Sequence, residues 1–212
     1  LAHEIRNPLA AMTGALTLLQ RGLARRAAQT GDEELLGPAR IIGEESQRLQ
    51  RLVADLLAFT RVAPTEPSDV DLVAAIQDAV DAARKDPSLG RAVPPVELAI
   101  EPGMLVRADP VLLHSALVNL LANALAHADE HVRVATSVEG RSVTVRVSND
   151  GPPIDEPVRA RVFEPFYTTR AQGTGLGLAI VRRNLAAFDA TVELESPPDG
   201  ACFAIHLRKW ER

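Results

Sequence analysis

Asp109-Pro-Val-Leu-Leu-His-Ser-Ala-Leu-Val-Asn-Leu-Leu-Ala-Asn-Ala-Leu-Ala-His127 is the stretch on which the fold turns. Asp109 and Pro110 stand in the order of an N-cap and a first helical residue. A short carboxylate can accept the free amides of a first turn, and proline has no amide there to leave unpaired. Leu113, Leu117, Leu120, Leu121 and Ala124 recur at helical spacing and predict the inward face of a core helix. Asn119, Asn123 and His127 recur every four residues as a polar stripe on the same helix. Buried amides need partners, and an amide oxygen is a hard donor suited to Mg2+. The stripe is thus either a set of ties to neighbouring loops or the lining of a ligand site.

Working outward, alternation predicts strands at 131–138 and 142–148, joined through Glu139-Gly140-Arg141, and again at 190–196 and 201–208. Val70–Leu72, Val96–Ile100 and Met104–Ala108 read as shorter strands, and Val73–Ala83 and Gly177–Phe188 as helices. Strands pairing through tight turns with helices between them predict an α/β sandwich with one exposed sheet face over residues 70–212. Residues 151–175, rich in Pro, Gly and Thr, read as one long loop, which inside a compact domain is usually functional.

Two further stretches point to a ligand. Asn149-Asp-Gly-Pro-Pro-Ile154 is a polar turn at a strand end. Gln172-Gly-Thr-Gly-Leu-Gly-Leu-Ala-Ile180 is a glycine-rich turn that opens a helix, whose first amides suit an anion. The spacing Gly173, Gly175, Gly177 is not that of a dinucleotide fingerprint, and neither a phosphate-binding P-loop nor the motif set of Ser/Thr/Tyr kinases occurs.

Upstream, Leu1, Ile5, Leu9, Met12, Leu16, Leu19 and Leu23 form the seam of a bundle helix running to about Arg26. His3 lies on the opposite side, with Asn7, Ala10, Gly14 and Thr17 continuing its stripe. Thr30 and Glu33 have capping-box spacing. A second segment to about Arg61 carries Leu35, Ile42, Leu49 and Leu56 at sevens, with Leu52 and Phe59 between them; Pro38 requires it to start near Gly37 or kink there. The two helices predict a hairpin over residues 1–63, and its uncovered seam predicts a homodimer built as a four-helix bundle. Pro64 and Pro67 mark a linker at 64–69.

The 212 residues carry a net charge of −5, which gives no reason to expect nucleic acid or an anionic membrane as partner. The one cysteine, Cys202, cannot form an internal disulfide and reads as a buried strand residue. No run approaches the roughly 18–20 apolar residues of a spanning helix, and no signal peptide is visible. The chain opens without Met inside a motif, so it is expected to be a cytoplasmic fragment whose sensor or inner-membrane anchor would lie upstream.

Together these stretches resemble the sensor histidine kinases of two-component systems over essentially the whole chain. His3-Glu-Ile-Arg-Asn-Pro8 is similar to that family's H-box, Asn119–His127 to its N-box and Asn149–Ile154 to its first glycine box. Val162-Phe-Glu-Pro-Phe-Tyr167 resembles its F-box and Gly173-Thr-Gly-Leu-Gly177 its second glycine box; Gly200-Ala-Cys-Phe203 is a weaker third. The resemblance implies a dimerisation and phosphoacceptor hairpin followed by a Bergerat-type ATP-binding domain. His3 would be the phosphoacceptor, Glu4 would accept or orient its proton, and Asn7 would aim water in a phosphatase reaction on a response regulator. Asn123 would hold Mg2+, Asn119 would line the phosphates of ATP and His127 would lie by the adenine. Residues 152–175 would form an ATP lid anchored by Phe163 and Phe166, with Arg170 near the phosphates. The turn Gly173, Thr174, Gly175, Leu176, Gly177 would bind phosphate through its amides. The partners implied are a second copy and the receiver domain of a response regulator.

Three positions depart from the commonest family pattern. Asn149, placed by Gly151, stands where an Asp usually accepts the adenine amino group, with Asp150 beside it. An amide free to rotate could also suit guanine, so weaker discrimination of ATP from GTP is expected than in an Asn149→Asp variant. Pro153 should stiffen the start of the lid, and Ala126 replaces a frequently basic residue. Two other readings are a catalytically impaired nucleotide-binding dimeric scaffold and a clamp-type ATPase; the second leaves His3-Glu4 unexplained.

Overall fold

The computed structural model describes residues 14–26, 28, 36–60, 66–86, 89, 93–170, 173–195 and 200–209. His3, Glu4, Asn7, the seam residues before Gly14, the Thr30–Glu33 box, Pro64 and Gln172 therefore lie outside the described residues. The chain divides into two units, Leu1–Arg61 with Thr168–Leu176, and Val62–Tyr167 with Gly177–Arg212.

In the first unit, residues 14–26 form helix α1 and Leu36–Thr60 helix α2. Starting at Leu36 puts Pro38 in the first turn, where its missing N–H costs nothing. The helices meet where Gly43 is buried: a Cβ there would run into the Gln20 side chain. Ile42, Leu49 and Leu56, the stripe at sevens, stay exposed.

The second unit is the expected sandwich. Its elements are β1 (Ser68–Asp71), α3 (Leu72–Ala83), β2 (Val96–Ala99), β3 (Leu105–Ala108), α4 (Pro110–His127), β4 (Val132–Glu139), β5 (Ser142–Asn149), α5 (Glu156–Arg159), α6 (Gly177–Ala186), β6 (Thr191–Glu195) and β7 (Ala201–Arg208). Five strands make a sheet in the order β2-β4-β5-β7-β6, parallel between β2 and β4 and antiparallel elsewhere. β1 and β3 pair separately, and Val106 bridges to Lys209 beyond β7. Gly140 (φ 59°) supplies the left-handed first position of the two-residue β4–β5 turn, which favours hairpin closure.

Helix α4 is central because its start and its inward face are both satisfied. The Asp109 carboxylate accepts the amides of Val111 (2.9 Å) and Leu112 (2.8 Å). Leu113, Leu117, Leu120 and Leu121 are fully buried, and each contributes about 1.5–3 kcal/mol gross. α3 and α6 pack on α4, and β5 lies beneath it. Alone among the described residues, α4 is long and apolar enough by composition to cross a membrane; here those leucines form the core of the sandwich.

Residues 151–175 are not wholly loop, since α5 forms at 156–159 with Pro157 in its first turn. The outer sheet face is polar and paired. Arg146 Nε donates to both oxygens of Glu195 at 3.0 Å, and that hydrogen bond holds the Glu195 carboxyl below its ordinary value. Burial, then the Glu195 carboxylate, pushes the Cys202 thiol up to about 12, so this cysteine is a structural residue of β7.

Candidate nucleotide site

The end of α4 and the end of β5 meet. Asn149, the last residue of β5, is 7% exposed, and its Nδ2 donates to the His127 main-chain oxygen at 3.3 Å. That contact decides the amide's orientation, since the nitrogen must face the carbonyl. The Oδ1 atom is then the side presented away from the His127 carbonyl, and it has no hydrogen-bond partner among the described residues. No buried side-chain polar atom among the described residues lacks a partner, so Oδ1 is reachable from solvent. Gly151 lies against the same carbonyl, where a Cβ would collide with His127 O. Gly200 (φ 79°) packs on the Asn149 carbonyl from β7's side, again with no room for a Cβ. Gly151 thus packs against the side-chain amide and its carbonyl partner, and Gly200 against the Asn149 main chain. The premise of a freely rotating Asn149 fails here, because its nitrogen is held; the expected weakening of ATP-over-GTP discrimination loses its basis.

Asp150 points elsewhere. Its Oδ1 accepts the amides of Asp129 (3.0 Å), Glu130 (3.1 Å) and His131 (3.1 Å), and Oδ2 lies 3.0 Å from His131 Nδ1. Burial would raise its pKa, but these backbone N–H groups outweigh that and lower it. Asp150 is therefore a clasp on the loop after α4, and His131, to which the sequence assigned no role, is part of that clasp.

At the other end of the stripe, Asn119 Nδ2 donates to the Ser115 main-chain oxygen at 2.8 Å. A Cβ on Gly177, the first residue of α6, would sit 3.1 Å from that Oδ1. Asn123, half-buried between the two ends, has no hydrogen bond among the described residues. Asn119 to His127 spans about 12 Å along the helix axis. One end meets a helix N-terminus and the other a fixed acceptor.

Of the remaining predicted residues, Arg170 and Gly173 to Leu176 fall in the first unit, and Phe163, Phe166, Pro153 and Ala126 in the second. Thr174 Oγ1 donates to Asp55 Oδ2 of α2 at 2.6 Å, so its hydroxyl is already committed. Gly175 has φ 70°, Leu176 is buried, and Gly173 N donates to Arg170 O at 3.2 Å. Phe163 packs edge-on against Phe203, with centroids 6.1 Å apart. Phe166 is 60% exposed with φ 67°, so it does not anchor the loop as expected; Phe163 alone of the pair is packed on the core. Pro153 is exposed and Ala126 half-buried.

A family model described as histidine kinase-, DNA gyrase B-, and HSP90-like ATPase matches residues 108–211, and that of the His Kinase A (phospho-acceptor) domain matches residues 1–64. The chain belongs to the sensor histidine kinase family. It is 33% identical to the signal transduction histidine-protein kinase AfsQ2 of Streptomyces coelicolor, over 98% of this chain and 40% of that protein. It is 30% identical to the sensory histidine kinase/phosphatase NtrB of Rhodobacter capsulatus, over 98% of this chain and 60% of that protein. The chain thus spans about two-fifths to three-fifths of these relatives. Among solved structures, full-length ShkA in complex with AMPPNP matches with a TM-score of 0.67 and 28% identity, over all of this chain and 45% of that one. The α/β sandwich is the ATP-binding fold of histidine kinases.

Proposed function

We propose that this histidine kinase chain uses ATP to phosphorylate His3 and passes the phosphoryl group to an aspartate of a response-regulator receiver domain. The observation that carries the ATP reading is the polar stripe of α4. It has an outward acceptor, Asn149 Oδ1, at one end and Gly177 at the start of α6 at the other. Adenine's amino group suits the first, and phosphate oxygens suit amides at the second. Asn123, whose amide oxygen has no partner among the described residues, fits Mg2+. Magnesium needs few protein ligands when phosphates supply the rest, and the described residues hold no cluster of three acidic, His or Cys side chains that could bind a metal. Bound Mg2+ would neutralise phosphate charge.

In the proposed step a neutral His3 ring nitrogen attacks the γ-phosphorus in line and the bond to the β-phosphate oxygen breaks, releasing ADP. The imidazole proton passes to Glu4. Asn7, four residues after His3 in the sequence, would orient water for dephosphorylation of the regulator; a phosphatase activity is carried by NtrB's name. The exposed stripe Ile42, Leu49 and Leu56 supports a homodimer, since a second hairpin would cover it. Use of ATP and of a receiver domain supports a cytoplasmic location for this chain.

The test is incorporation of label from γ-labelled ATP with Mg2+. Label retained in base and lost in acid, and absent from His3→Gln, is expected of a phosphoramidate at His3. Equal incorporation by both proteins refutes the proposal. Nucleotide binding with no incorporation by either would favour the scaffold reading.

A further inference from the structure

Four polar side chains are buried among the described residues: Asp109, Thr144, Asn149 and Asn184. Asp109 caps α4, Thr144 meets His206 on the sheet at 3.1 Å, and Asn149 belongs to the candidate site. Asn184 has no part in any of these. It sits on α6, seven residues after Gly177, and is 7% exposed. Its Nδ2 donates to Ser115 Oγ on α4 at 3.1 Å. Ser115 therefore serves two amides at once: its hydroxyl takes Asn184, and its main-chain oxygen takes Asn119 Nδ2.

We propose that Ser115 and Asn184 are positioning residues, which hold α6 in register along α4 so that Gly177 stays beside Asn119 Oδ1. This rests on the reading that nucleotide phosphates bind at the start of α6. What else these helices bury is apolar, including Ala116, Leu117 and Leu120 on α4 and Ile180, Val181 and Leu185 on α6. Apolar contact is non-directional and resists sliding poorly; a hydrogen bond between two buried side chains is directional. The Ser115–Asn184 bond and the Gly177–Asn119 contact lie one turn apart on α4 and two turns apart on α6. Two such points fix both the slide and the crossing of the helices. The second point is a close approach, since a Cβ added at Gly177 would stand 3.1 Å from Asn119 Oδ1. Binding groups tolerate a displacement of about 0.5 Å, so a slip of α6 larger than that would move its first amides off the oxygens they must meet.

A purely structural role for the pair predicts something different, so the two can be separated. Replacing both partners by apolar groups of similar size is close to neutral for stability. The full chain carrying Ser115→Ala with Asn184→Leu is titrated calorimetrically with Mg2+-AMPPNP and, separately, with adenosine. The expected result is a melting temperature within about 2 °C of wild type, AMPPNP binding weakened about tenfold, and adenosine binding unchanged. Adenosine engages only the Asn149 end. Unchanged AMPPNP affinity, or equal weakening for both ligands, overturns the positioning role. Should the double variant not fold, Ser115→Ala alone must show the same split between the two ligands. A wild-type chain that binds neither ligand would instead remove the nucleotide reading itself, and this inference with it.

Discussion

Replacing Asn149 by Asp restores the residue that the family most often carries at this position, and the structure predicts that the change is harmful. The wild-type amide nitrogen donates to the His127 carbonyl at 3.3 Å. A carboxylate turns that donor into a second acceptor, so a hydrogen bond becomes a contact between two oxygens. The His127 carbonyl has little room to move toward Gly151, which approaches it too closely to admit a Cβ. Loss of the bond costs about 1 kcal/mol, and the repulsion with partial burial of charge brings the total to about 2–3 kcal/mol. For a domain of this size that lowers the melting temperature by roughly 5–10 °C. The sign with pH follows from the same contact. Only the protonated acid can donate to His127 O, so the folded-state pKa of the new carboxyl lies above its unfolded value of about 3.9. The variant's deficit is therefore fully present at pH 7.5 and shrinks as pH falls through the raised folded pKa, reaching its smallest value below about 3.9. Scanning fluorimetry of both proteins between pH 7.5 and 4 measures this. A variant as stable as wild type at pH 7.5, or a deficit that does not change with pH, refutes the locked amide.

Asp150→Asn tests the clasp next to it. The lowered pKa of Asp150 means its contribution is present above the unfolded value near 3.8 and is lost as pH falls through the lower folded value. The variant should melt below wild type at pH 7, with the gap closing in acid; a gap that persists at pH 2 would show that charge is not what matters. Gly14→Leu tests the stripe that the sequence predicts His3 and Gly14 to share. Gly14 is exposed and a Cβ there meets nothing within 4 Å, so folding should be spared or slightly favoured by about 0.5–1 kcal/mol. If a receiver domain docks on this stripe, phosphotransfer to it should fall at least tenfold while ATP affinity holds; unimpaired transfer would refute such docking.

The parts of this molecule that periodicity governs were legible in its residues. Asp109-Pro110 started α4 where an N-cap and a first-turn proline must, and its leucines at threes and fours became the buried face. What stayed hidden was pairing between residues distant in sequence. His131 and Asp150 lie nineteen positions apart, and nothing in either local pattern marks the clasp they form. Asn149 could be placed at the site by Gly151, but its orientation could not, since that depends on a carbonyl twenty-two residues earlier. Phe166 shows the same limit from the other side: a motif suggested an anchor, while a left-handed backbone leaves the ring exposed. Ser115 is the instructive case, because the signal was available. It continues the stripe of Asn119, Asn123 and His127 one turn earlier, at the same interval of four, and a polar residue there on an apolar helix needs a partner. Its partner, Asn184, is polar at a buried position of α6 and needs one too. Matching unsatisfied polar positions on two helices expected to pack is therefore a usable rule, and here it points at the joint between the asparagine helix and the helix that begins at Gly177.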